Sequence, residues 1–162
     1  MPRVATVAIE IRVTFRAPLR FVFDWCTDYT PHDPALEGDS YARRILSRDD
    51  GRVEYEDLDS SAAGWQWSRW TVSLHPPDAW QATSVGNYRD WSVDYRLRSR
   101  SDGGTELTLR GRRRPTALAS KGPTRAEIER NLGANWKKYA RAFETDFRAS
   151  QRKGRVRSRA GR

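Results

Sequence analysis

The sequence predicts an α+β fold: a curved antiparallel sheet of about seven strands wrapped around one long C-terminal helix, with two short helices after the first strand. Three observations predict it. Between Pro123 and Arg148, Ile128, Leu132, Trp136, Tyr139, Phe143 and Phe147 recur three or four residues apart, which makes one apolar stripe on a helix. From Val4 to Arg16 apolar and polar residues alternate with period two, the pattern of a half-buried strand. Between these two segments, turn signals recur at hairpin spacing: Asp50-Gly51, Pro76-Pro77-Asp78, Gly86-Asn87 and Gly103-Gly104. A helix of about 25 residues runs roughly 37 Å at 1.5 Å per residue. In a chain of 162 residues only a broad, curved sheet can cover a stripe that long.

In the first strand Val7, Ile9, Ile11, Val13 and Phe15 face one way, and Glu10, Arg12, Thr14 and Arg16 the other. Ala17-Pro18 ends it, and Pro18 suits the opening of a helix, where a missing N–H costs least. Leu19, Val22, Phe23 and Cys26 give that short helix its apolar side. The following segment, Asp24 to Pro34, is dense in polar and aromatic groups, and Asp and Thr there read as capping and turn chemistry. Asp28, His32 and Asp33 lie close in sequence but match no metal-ligand spacing, so neither a metal nor a cofactor is expected. Strands are predicted near 41–48, 52–59, 64–75, 79–86, 88–99 and 105–113. In the strand at 88–99, Trp91, Val93, Tyr95 and Leu97 share the covered face. Thr124 followed by Glu127 is a capping box that starts the long helix. Asn135 falls near the centre of its stripe and Asn131 on its flank. Each is either bonded to neighbouring backbone or water, or turned toward a ligand.

The net charge is +9, and the segment from Arg148 to Arg162 supplies seven positive charges and no acid. Residues 1–150 are therefore predicted to form one domain, and 151–162 a basic tail too poor in apolar residues to order itself. The single cysteine, Cys26, leaves no internal disulfide and fits a reducing, cytoplasmic setting. No apolar run reaches the roughly 20 residues of a membrane span.

The order of elements, the Ala17-Pro18 step leading into Phe21-Val22-Phe23-Asp24, the Trp-rich strand at 65–74 and Glu129-Arg130-Asn131 on the long helix carry a resemblance. Over about residues 5–150 the chain resembles the START-like, or SRPBCC, superfamily with its helix-grip fold, which includes birch-pollen-allergen-like proteins, lipid-transfer START domains and aromatic polyketide cyclases. The resemblance implies a ligand cavity between the sheet and the long helix. Polyketide cyclases carry Trp-x-Ser-x-Arg on a cavity strand and an Asn on the last helix. In Trp65-Gln66-Trp67-Ser68-Arg69 the Trp and Arg match that pattern and Trp67 replaces the Ser. The resemblance therefore implies Arg69 and Asn131 as polar groups of the cavity.

The function expected is binding of a hydrophobic or aromatic small molecule, as carrier or sensor. Trp25, Trp65, Trp67 and Arg69 are candidate ligand-binding residues from the first half of the chain, and Trp91, Tyr95, Asn131 and Asn135 from the second. An Arg in an apolar cavity needs an anion, a carbonyl or a carboxylate partner; the other reading of Arg69 is that it pairs with an acid such as Glu56 or Asp94, or sits at the solvent edge. The alternative is a cyclase or dehydratase in which Arg69 stabilises an oxyanion, Tyr29 or Tyr95 moves a proton, and Asn131 orients the substrate. A third reading, a nucleic-acid or protein-partner module, would use the basic tail and Arg112-Arg113-Arg114, although nucleic acid is not the expected partner.

Overall fold

The computed structural model describes residues 5–61, 64–116 and 122–160, with backbone alone at 61 and 154–160. Val4, where the sequence opens the first strand, and Gly161 and Arg162 of the basic tail lie outside the described residues. The elements are β1 (Val7–Phe15), α1 (Leu19–Cys26), a 3-10 turn (Asp33–Glu37), β2 (Tyr41–Arg48), β3 (Arg52–Ser61), β4 (Gly64–His75), β5 (Ala79–Gly86), β6 (Arg89–Ser99), β7 (Thr105–Pro115) and α2 (Arg125–Ala160). They form one seven-stranded sheet in the order β1-β7-β6-β5-β4-β3-β2, antiparallel throughout. The predicted order and strand boundaries agree with this architecture to within a few residues. Among the described residues no helix is long and apolar enough to cross a membrane.

The inward residues of the strands are those that alternation selects. Ile9, Ile11, Val13 and Phe15 of β1 are buried, as are Leu107 and Leu109 of β7 and Val93 and Leu97 of β6. Beyond Pro18, α1 buries Val22 and Phe23. The 3-10 turn is set by Asp33, whose carboxylate accepts hydrogen bonds from the Thr30 backbone N–H (3.1 Å) and hydroxyl (2.7 Å). It ends at Gly38, where φ is +84°, a conformation that favours a residue without Cβ.

The capping box forms as read. Glu127 accepts the Thr124 backbone N–H at 2.8 Å, and the Thr124 hydroxyl accepts the Glu127 N–H at 3.3 Å. From there α2 runs for 36 residues to Ala160, through the basic residues that the sequence sets apart as a tail from 151. The helix packs chiefly along β1, an edge strand, and also against the 3-10 turn. Phe143 meets Phe15 edge to face at 5.6 Å and is almost fully buried. Glu129 accepts the backbone N–H of Glu10 at 3.0 Å, tying the helix to that edge. Truncating Phe143 to Ala would cost about 3–5 kcal/mol.

Candidate functional site

α2 packs along β1 at one edge of the sheet and makes little close contact with β2 to β6. A cavity of about 670 Å³ remains between helix and sheet, inside the roughly 300–1,000 Å³ of small-molecule sites. Trp91, Val93 and Tyr95 of β6, Trp70 of β4 and Tyr55 of β3 supply its apolar wall, opposite Leu132, Trp136 and Tyr139 of α2. The rings brace one another. Tyr95 stacks on Trp80 at 4.6 Å and meets Trp136 at 5.7 Å, while Tyr55 stacks between Tyr29 (5.4 Å) and Trp70 (6.0 Å). Aromatic surface with polar edges suits flat, ring-containing guests.

One part of the polar lining is saturated. Arg43 of β2, with a side chain only 9% exposed, grips Asp57 with two nitrogens (2.8 and 2.9 Å) and Asp33 with a third (2.7 Å), and lies 4.0 Å over the Tyr55 ring. Burial pushes the Asp57 carboxyl up and the Arg43 guanidinium pulls it back. Glu37, at the end of the 3-10 turn, accepts hydrogen bonds from Asn135 (3.3 Å), Tyr41 (3.4 Å) and the Tyr139 hydroxyl, and burial raises its pKa. It ties that turn to α2 across the cavity. Burial also lifts the Tyr29 and Tyr95 hydroxyls well above the ordinary phenol range, so both stay protonated hydrogen-bond donors at neutral pH.

At the α1 end the Trp25 indole N–H donates to Asp146 at 3.0 Å. The neighbouring Asp28 carboxyl is raised to about 6 by burial and by the Asp33 and Asp146 carboxylates, against a smaller opposing pull from Arg48. Arg48 also donates to the backbone carbonyls of Asp28 and Tyr29.

The opposite end holds two further arginines. Arg89 and Arg113 occupy neighbouring inward positions on β6 and β7, where the register pairs Arg89 with Pro115 and Trp91 with Arg113. Arg89 donates to the Gln66 side-chain carbonyl at 2.8 Å. Arg113 is 6% exposed, and its Nη1 has no hydrogen-bond partner among the described residues. Burial lowers the pKa of both groups, and Arg89 lowers that of Arg113 further by repulsion.

Of the residues singled out from sequence, Trp25, Tyr29, Trp91, Tyr95, Asn131 and Asn135 line this cavity together. Asn135 bonds to Glu37, and Asn131 stands at the cavity border on the solvent side of α2. Trp67 also borders the cavity while remaining 39% exposed. Trp65 and Arg69 are not part of it. Gln66, Ser68 and Trp70 carry the inward parity of β4, so Trp65 stands 65% exposed and Arg69 turns outward to Glu54 at 2.9 Å. The oxyanion role expected of Arg69 is thereby corrected: its guanidinium lies on the far side of the sheet, held by an acid. Sequence reasoning missed Arg43, Glu37, Arg89 and Arg113. Arg113 was legible in principle, since it continues the inward series Thr105, Leu107, Leu109, Gly111 with period two.

No family model and no curated protein matches the chain. Solved structures do match its fold. Zhui aromatase/cyclase from Streptomyces sp. R1128 is 17% identical with a TM-score of 0.62, over 88% of this chain and 93% of its own. TTHA0849 from Thermus thermophilus is 13% identical with a TM-score of 0.69, over 89% of this chain and 99% of its own. A START superfamily protein from Mycobacterium smegmatis is 11% identical with a TM-score of 0.61, over 86% of this chain and 95% of its own. The chain thus has the START-like helix-grip fold that the sequence predicts.

Proposed function

We propose that this protein binds a hydrophobic, ring-containing small molecule between its sheet and α2, as a carrier or sensor. The observation that carries the reading is the cavity of about 670 Å³ walled by stacked Trp and Tyr rings. The likeness to START-superfamily and aromatase/cyclase structures supports it at the level of fold. N-phenyl-1-naphthylamine, a neutral dye that brightens in apolar surroundings, tests it by titration. Saturable uptake that falls about tenfold in Leu132→Trp, which pushes an indole into the cavity, supports binding there. Absence of uptake, or uptake indifferent to Leu132→Trp, contradicts it.

Asp28 favours a second reading, cyclase- or dehydratase-like turnover. Its carboxyl at the cavity wall, raised to about 6, is poised to exchange protons near neutral pH. Tyr29 and Tyr95 would donate hydrogen bonds to a substrate carbonyl. Incubation with a poly-β-ketone tests this, and equal turnover by the parent protein and Asp28→Asn would remove Asp28 from the chemistry.

A further inference from the structure

The cavity treats its buried arginines in two different ways. Arg43 is matched by two carboxylates and an aromatic face, the arrangement a structural guanidinium requires. Arg113 has none of this. It is deeply buried, makes no ion pair among the described residues, leaves Nη1 without an acceptor there, and has a second cation, Arg89, as its neighbour. Arg89 in turn donates to the neutral Gln66 amide. Among the described residues, the carboxylate that acts on Arg89 through space is Asp59, which also lines the cavity. With one carboxylate acting on Arg89 and none on Arg113, the described residues leave a single uncompensated positive charge at this end. An unpaired buried charge destabilises the empty protein, and a ligand that neutralises it recovers that loss.

Resting on the ring-binding reading, we propose that Arg113 and Arg89, which both line the cavity, form an anion subsite, and that the guest is an aromatic monocarboxylate whose carboxylate is drawn to this guanidinium pair while its rings lie along Trp91. The charge balance fixes one negative charge on the guest. The Arg fork fixes a planar oxygen pair as its shape. Asp33, Asp57 and Glu37 on the other side of the cavity repel a second anionic group.

The test compares 2-naphthoate with 2-naphthamide, which share ring and size and differ in charge, by calorimetry at neutral pH. The parent protein is expected to bind the acid about tenfold or more tighter than the amide. Arg113→Met should abolish that preference by weakening the acid alone, and Arg113→Lys, which keeps charge without the fork, should restore only part of it. Arg113→Met should also melt at a higher temperature than the ligand-free parent, since it removes an unmatched charge; a structural arginine would lower the melting temperature instead. Equal binding of acid and amide by the parent overturns the anion subsite and leaves the ring-binding reading standing. A preference for the acid that survives Arg113→Met together with Arg89→Met also overturns the subsite. Binding of neither naphthyl compound, with no uptake of N-phenyl-1-naphthylamine, overturns both.

Discussion

Replacing Arg43 by Met removes the one guanidinium that holds the middle of the cavity wall together. Its side chain is only 9% exposed, and it is the shared counter-ion of Asp33 and Asp57, whose side chains are 21% and 17% exposed. Met fills similar volume, so the cost is electrostatic: two half-buried carboxylates lose their counter-ion, and Tyr55 loses the cation 4.0 Å above its ring. Breaking a buried pair from one side costs about 3–5 kcal/mol, a large part of the roughly 5–15 kcal/mol that holds a domain folded. At roughly 2–4 °C per kcal/mol for a chain of this size, the melting temperature should fall by roughly 6–20 °C. Adding Asp33→Asn and Asp57→Asn to Arg43→Met should recover part of the loss, because the orphaned charges then disappear while the amide at 33 keeps only one of the two oxygens that accept from Thr30. Urea unfolding followed by circular dichroism and tryptophan fluorescence measures both steps. A loss below about 1 kcal/mol for Arg43→Met, the range of an exposed pair, would refute the buried triad, as would a triple variant no more stable than the single one.

Arg69→Ala should change stability by less than about 1 kcal/mol and leave dye uptake intact, since Arg69 pairs with Glu54 outside the cavity; a large loss of uptake in the same titration would contradict that placement. Asp28→Asn should show a pH signature. The folded-state pKa of about 6 lies above the ordinary 3.8, so the folded protein holds this proton more tightly than the unfolded chain, and the contribution is lost as pH rises from 3.8 through 6. The stability gained by Asp28→Asn should therefore be absent in acid and grow to a plateau above about pH 6; thermal melts across that range that show a constant difference would contradict the shift. Glu37→Ala should loosen the link between the 3-10 turn and α2, seen as faster amide hydrogen exchange in both segments while β1 and β7 stay protected.

The fold was legible because each element carries its own periodicity. The apolar stripe of α2 needs a sheet, the capping box marks its start, and the Gly and Pro turns mark the β2–β3, β4–β5, β5–β6 and β6–β7 connections. The cavity lining was legible where one face of a strand is clearly apolar: Trp91, Val93 and Tyr95 share a parity with Leu97, which is buried. It failed on β4. That strand has Trp at 65, 67 and 70, so large rings fall on both faces and the Trp-x-Ser-x-Arg likeness favoured the wrong one. Val72, fully buried, fixes the true phase, and with it Ser68 and Trp70 point inward. Arg43 and Arg113 were missed because both sit in runs of arginine: Arg43-Arg44 drew no reading, and Arg112-Arg113-Arg114 read as a basic patch for a nucleic-acid or protein partner. A charge run on a strand alternates faces like any other run, so one of its members must point inward.

A crystal structure of the protein grown with N-phenyl-1-naphthylamine tests most directly whether sheet and helix enclose a binding chamber. Ring density between Trp91 and Tyr95 on one side and Leu132 and Trp136 on the other, with Trp65 and Arg69 untouched, is the predicted result. An α2 seated down on β6 with its side chains filling the space, or dye stacked on Trp65 outside the sheet, would contradict it.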